Sequence, residues 1–199
     1  DHLGLTPCTM VPNLPVTIET ANGTAWSPKE AGRVEYDGVM HPLRWGFARS
    51  RNNYSAWIMK QAKQPAAVAD FIHNMGIRSY IDPVPALALG SSESNVFELV
   101  SAFSTFANQG VHTDAIFVTR IEDNDGNVLA TFAPEMQEVI SVSSAYKMLV
   151  MLRAVVNEGT GGRVRRLGVK ADMGGKTGTT NYNADGWFMG FTPSLVSGC

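Results

Sequence analysis

The chain has little cysteine and builds nothing around it. Its 199 residues include two, Cys8 near the start and Cys199 at the end. There is no Cys-x-x-Cys pair, and the histidines His2, His41, His73 and His112 are scattered. Protein metal sites need clustered ligands, so no metal is expected and each histidine is read as structural or exposed. Two cysteines at opposite ends give no argument for a disulfide. An excess of charge is lacking as well: 16 basic residues stand against 18 acidic ones, net −2. That balance offers no electrostatic footprint for nucleic acid, and it does not imply a membrane surface either. A run of about 18 apolar residues, enough to cross a bilayer, is missing. The best apolar stretch, residues 148–156, is interrupted by Arg153. Internal repeats, linkers and low-complexity tracts are absent, so residues 1–199 are expected to form one partial domain with no internal boundary. No Met or signal peptide opens the chain at Asp1, and it stops on Cys199 after a strand-like run. Both ends are therefore expected to be truncations of a longer polypeptide.

The richest stretch is GGKTGTTN, residues 174–181, with one Lys, three Thr and three Gly in eight positions. The run DGWFMGFTP follows at residues 185–193. Two strands joined by a short turn at 182–184 fit this pattern. The first would carry an ammonium and hydroxyls, with Gly178 between them. A glycine there lets another backbone come close, so an extended peptide could add to this edge. Thr177 and Thr179 stand two apart and share a face of the strand. A nucleotide loop is excluded by spacing, because its first glycine would fall on Lys170.

Elsewhere the pattern is mixed. Residues 1–41 are rich in Pro and Gly, with short extended pieces expected at 16–19 and 33–36. An irregular segment this long is usually functional or pinned to other structure. Pro42 is placed to open a helix as its first residue, continuing over 43–49, with further helices over 54–64 and 66–75. Pro83 and Pro85 make residues 81–93 a connector. Asn95 caps a helix over 96–108, with Glu98 as its capping-box partner. Runs at 116–121 and 127–132 around Asp125-Gly126 predict a hairpin. A helix with the apolar stripe Ala145, Met148, Leu149, Leu152 and Val156 follows, capped by Ser143 or Ser144 and closed by Gly159. Arg163, Arg165 and Arg166 read as a solvated face, or as an attraction for an acidic polymer. The fold class is α+β: an antiparallel sheet flanked by helices, with a helical lobe.

Lys176-Thr177-Gly178-Thr179-Thr180-Asn181, followed by Asp185-Gly186-Trp187-Phe188-Met189-Gly190-Phe191-Thr192-Pro193, resembles the penicillin-binding proteins. The likeness is to the transpeptidase domain of the bifunctional, class A type, although that family more often has Ala where Gly186 stands. Against this background Ser50-Arg51-Asn52, otherwise a polar junction between helices, takes the place of the family's second motif, Ser-x-Asn. The resemblance implies a penicillin-recognising serine transpeptidase fold, no cofactor, and acyl transfer through a serine ester. Peptidoglycan stem peptides and β-lactam antibiotics would be the partners. A membrane-anchored parent would hold the domain outside the cytoplasmic membrane, through an N-terminal part missing here.

The resemblance also implies roles. Ser50 would relay a proton to the leaving nitrogen, Asn52 would hold the substrate's amide carbonyl, and Lys176 would supply positive potential. Thr177 and Thr179 would bind the terminal carboxylate, and the Thr179 N–H would be an oxyanion donor. The family's nucleophile lies in a Ser-x-x-Lys motif upstream of Ser-x-Asn. Ser144-Ala145-Tyr146-Lys147 has that spacing but stands downstream, at a helix start. It is read as a decoy, with Lys147 on the solvated side, and the nucleophile is expected before Asp1. Two other readings stay open: a β-lactamase or DD-carboxypeptidase type hydrolase, and a non-catalytic sensor of β-lactams or peptidoglycan.

Overall fold

A computed structural model of the chain describes residues 3–20, 23–32 and 35–199. His2 and the start of the extended piece expected at 33–36 lie outside the described residues. The loop-rich opening holds four short strands. β1 (Met10–Pro12) pairs antiparallel with β4 (Met40–Pro42), and β2 (Ile18–Glu19) pairs with β3 (Ala25–Trp26). Pairing with distant residues, which local patterning does not reveal, pins this segment.

Three helices follow: α1 (Leu43–Ala48), α2 (Asn52–Ala62) and α3 (Pro65–Asn74). Pro42 is the extended residue that caps α1, not its first helical residue, because it also closes β4. α2 begins two residues before the expected start, where the Glu30 carboxylate accepts the N–H groups of its first turn. A 3-10 turn at Pro85–Leu89 leads to α4 (Val96–Ala107). Asn95 caps α4 as expected, its side chain accepting the Glu98 N–H at 2.9 Å. The reciprocal half of the capping box is replaced, since the Glu98 carboxylate accepts instead from the hydroxyls of Ser79 (2.7 Å) and Ser94 (3.2 Å).

Next come β5 (Val111–Thr113), which pairs with β8 (Met136–Glu138), and the hairpin β6 (Arg120–Glu122) and β7 (Val128–Thr131). The hairpin forms where Asp125-Gly126 places it, but a register shift between Ile121 and Glu122 keeps its strands short. The three described histidines are structural. His41 stacks on Trp45, His73 bonds the Ile77 carbonyl, and buried His112 lies between Thr105 and Asp114.

α5 (Val142–Glu158) is the platform. Leu152, Val155 and Val156 are fully buried on it, and it packs against α1, α4 and the strand β9 (Gly174–Thr179). Gly159 lets α1 approach its end: a Cβ there would lie 2.0 Å from the Ala48 carbonyl oxygen. After the short α6 (Arg163–Arg166), β9 forms a three-stranded antiparallel sheet with β10 (Gly186–Thr192) and β11 (Leu195–Gly198), in the order β11-β10-β9. The turn between β9 and β10 is a 3-10 turn, Asn181–Asn183, with Tyr182 at φ 61° and fully exposed. A second core, built on Met59, Met75, Ile77, Ile81 and Leu87, fills the helical lobe.

Candidate active site

Because α1 and β9 lie on the same platform, the residue ending α1 meets the residue in the middle of β9. α1 closes with a Schellman arrangement: the Ser50 N–H bonds the Phe47 carbonyl and the Arg51 N–H bonds the Gly46 carbonyl, each at 3.0 Å. This motif needs a left-handed residue, usually glycine. Here it is Ser50, at φ 51°. The left-handed backbone costs a non-glycine residue roughly 1–2 kcal/mol. Such strain persists where surrounding structure imposes it, and it clusters at functional sites.

The Ser50 hydroxyl receives a hydrogen bond from Lys176 Nζ at 2.5 Å, across 126 residues of chain. An ammonium has only donors, so Ser50 Oγ must accept, and its own proton is left to point elsewhere. Lys176 also donates to the Thr177 carbonyl at 2.8 Å and lies 5.8 Å from the centre of the Phe47 ring. Burial pushes its pKa down to about 8, because the charged form loses hydration.

Asn52, the first residue of α2, lines the same cleft, and one N–H of its amide is given to the Lys29 carbonyl at 2.6 Å. A second N–H remains. The Thr177 hydroxyl is 2.6 Å from that of Thr160, in the 3-10 turn after α5. Thr160 was not legible as a site residue, since it belongs to no motif and reaches Thr177 only through the fold. Gly178 and Thr179 are exposed at the far end of β9, whose outer edge is unpaired among the described residues. The cleft is ≈ 380 Å³, with Ser50, Asn52, Lys176, Thr177, Gly178 and Trp187 in its walls. A larger groove, ≈ 810 Å³, runs between the β2–β3 pair and α2, away from the Ser50–Lys176 contact.

Ser144 and Lys147 lie in the first turns of α5. The cap of that helix is Ser141, whose hydroxyl accepts the Ser144 N–H at 3.2 Å, and not Ser143 or Ser144. The helix starts two or three residues earlier than either of those caps would set it, at Val142. Lys147 is half-buried instead of solvated, because α5 is covered on more than one side. The arginine run divides. Arg163 and Arg166 are exposed, whereas Arg165 binds the Asn157 side chain and the carbonyls of Val169 and Ala171, tying down the loop before β9.

Among the described residues, no group of His, Cys, Asp and Glu could hold a metal, and no helix is long and apolar enough to cross a membrane. What the arrangement offers chemically is a hydroxyl polarised by an ammonium, beside an open strand edge carrying further hydroxyls.

A family model described as the penicillin binding protein transpeptidase domain matches residues 18–196. Penicillin-binding protein 1A of Neisseria meningitidis is 34% identical over 203 residues, covering 98% of this chain and 25% of that protein. The crystal structure of penicillin-binding protein 1A from Haemophilus influenzae superposes with a TM-score of 0.86 at 26% identity, over 98% of this chain and 34% of the other. The PonA1 protein of Mycobacterium tuberculosis, in complex with penicillin V, shares the fold with a TM-score of 0.72 at 22% identity, over 99% of this chain and 55% of the other. The chain thus spans about a quarter of the length of the curated relative it matches.

Proposed function

The chain belongs to the penicillin-binding protein transpeptidase family, and from this premise we propose that it forms one uninterrupted part of a peptidoglycan DD-transpeptidase. The parent crosslinks stem peptides by serine acyl transfer and is acylated by β-lactams. The observation that carries the reading is the 2.5 Å contact from Lys176 to Ser50, which joins the two motifs in one cleft.

In the proposed mechanism the nucleophilic serine and its lysine come from sequence before Asp1. A stem peptide lies along the free edge of β9 as an added strand. Gly178 favours this placement: among the described residues a Cβ there would meet only the Trp187 side chain, at an ordinary 3.5 Å, so none of them demands glycine. Thr177 and Thr179 hold the terminal carboxylate, and Thr160 shares the Thr177 hydroxyl. The remaining Asn52 N–H holds the substrate's amide carbonyl. When the serine attacks, the carbonyl oxygen becomes an oxyanion, stabilised by the Thr179 N–H and that of the nucleophile. The nucleophile's own lysine takes the serine proton as the C–O bond forms. Ser50 passes its proton to the D-Ala nitrogen as the C–N bond breaks and regains one from that lysine, while Lys176 holds the Ser50 oxygen and supplies positive potential. An amine from a second stem peptide then attacks the ester; the C–N bond forms, the C–O bond breaks, and the amine's proton returns to the nucleophilic serine as it leaves. The parent is anchored in the cytoplasmic membrane, with this domain on its outer face.

The test is intact-mass spectrometry after incubation with penicillin. The parent polypeptide is expected to gain one covalent adduct, mapped by peptide digestion to a serine before Asp1. The 199-residue chain alone is expected to gain none. An adduct on Ser144 would overturn the assignment of the nucleophile.

A further inference from the structure

The pair Ser50 and Asn52 is held from one side by the end of α1. What holds the other side comes from residues 29–30 in the proline-rich opening. α2 receives no side-chain cap from its own N-cap residue, Arg51. Instead Glu30, 22 residues upstream, spreads its carboxylate over the first turn. Its Oε2 accepts the Asn52 N–H at 3.1 Å and its Oε1 accepts the Asn53 N–H at 2.8 Å. The Glu30 side chain is only 7% exposed, and Arg51 Nε lies 3.5 Å from Oε2. The preceding residue, Lys29, uses its carbonyl to take an N–H of the Asn52 side chain. One dipeptide therefore fixes both the backbone and the amide plane of Asn52.

Buried Asn13 completes the frame: its Oδ1 accepts from Arg51 (2.9 Å) and from the Asn53 amide (3.2 Å). Arg51 is thus held by Glu30 and Asn13, and Ser50 sits between that anchored arginine and the closed end of α1. Both sides are needed, because a serine forced into the left-handed region relaxes wherever its neighbours allow it.

We propose that Glu30 is a positioning residue for the acylation chemistry, setting the Ser50 hydroxyl and the Asn52 amide through the first turn of α2. The inference rests on the transpeptidase reading. Glu30 touches no substrate in this account. Its effect passes through Asn52 and Arg51 to the Ser50–Lys176 contact.

The experiment uses the parent polypeptide, a fluorescent penicillin and stopped-flow acylation, with Glu30→Gln and Glu30→Ala beside the unaltered protein. Adduct amplitude counts competent molecules, and the rate constant reports the geometry within them. Glu30→Ala is expected to lower the rate constant about tenfold, since small misplacements of reacting groups cost rates steeply. Glu30→Gln is expected to fall between, because its carbonyl oxygen still accepts one N–H while its NH₂ confronts the other donors. A helix cap without a positioning role would lower the melting temperature and the amplitude alone. Rate constants within twofold of the unaltered protein in both variants would therefore overturn the inference. Should Glu30→Ala fail to fold, Glu30→Gln decides by the same criterion. Failure of the unaltered parent to form any adduct sinks the transpeptidase reading itself, a result separable from the first.

Discussion

The two walls of the cleft use glycine in opposite ways. On the α1–α2 wall, Ser50 stands at a left-handed position where glycine would fit without strain. On the β9 wall, glycine stands in three places with ordinary strand backbone. At Gly174 and Gly175 it is required. A Cβ on Gly174 would lie 2.6 Å from the Phe191 ring and 2.9 Å from the Arg153 nitrogen, and one on Gly175 would lie 2.6 Å from the Met189 carbonyl oxygen. At Gly178 the protein makes no such demand. The first wall gives up stability to hold a hydroxyl. The second has a packed, buried half at 174–175 and an exposed half at 178–179, whose composition answers to something other than its own core.

The largest expected effect tests the junction of the walls. In the parent, Lys176→Ala and Ser50→Gly should each lower the rate of acylation by a fluorescent penicillin by at least ~10²-fold, the scale of a lost proton-relay or electrostatic group. They should part in stability. Ser50→Gly relieves the left-handed strain and should raise the unfolding free energy by about 1 kcal/mol in urea titration. A Ser50→Gly protein that is less stable than the original would show that the serine is there for folding, and the contrast between the walls would collapse.

Much of this was legible beforehand, for identifiable reasons. Lys176, Thr177 and Gly178 announced themselves because three chemically distinct residues stand side by side on one strand. Asn95 and the Asp125-Gly126 turn were readable because caps and hairpins are local. Ser50 and Asn52 are readable only through family likeness, since a Ser-x-Asn triplet has no local signature. Glu30 and Thr160 were not legible, because each reaches its partner only after the chain has folded. The strain at Ser50 was equally hidden: it comes from where α1 ends and α2 begins, and α2 starts earlier than its own residues suggested because Glu30 caps it. The misplaced cap of α5 has a simpler cause, three serines within four positions, any of which could have served.

Smaller effects should separate the two halves of β9. Gly175→Ala forces a Cβ against the β10 backbone and is expected to cost about 1–3 kcal/mol, as overpacking does. Gly178→Ala is expected to change stability by less than about 0.5 kcal/mol, as at unconstrained surface sites. Its consequence should appear in acylation, with the pre-covalent affinity for penicillin weakened and the rate constant at saturation less affected. Equal stability losses at both positions would remove the argument that Gly178 answers to a ligand.

The last effect is a pH slope, and it reports the burial of Lys176 directly. Its folded pKa lies near 8, below the ordinary 10.5, because burial disfavours the charge. Below pH 8 both folded and unfolded states hold the proton, and the folded state bears the full cost of the buried charge. Between pH 8 and 10.5 the unfolded chain holds a proton that the folded one has released, so stability rises with pH. The slope for one group cannot exceed about 1.4 kcal/mol per pH unit, and the half-buried position of Lys176 keeps it below that. Tyr36 and Tyr54 act in the opposite sense: burial raises their pKa above 10, so their contribution falls as pH climbs past that value. The comparison should therefore stop near pH 9.5 and be taken as a difference between the parent and Lys176→Met, in which both tyrosines cancel. Urea midpoints are expected to converge as pH rises from 7.5 to 9.5, the parent gaining on a Lys176→Met variant that starts out more stable. Parallel midpoints over that range would mean that Lys176 is as hydrated as a surface lysine, and the electrostatic half of the junction would have to be assigned to another group.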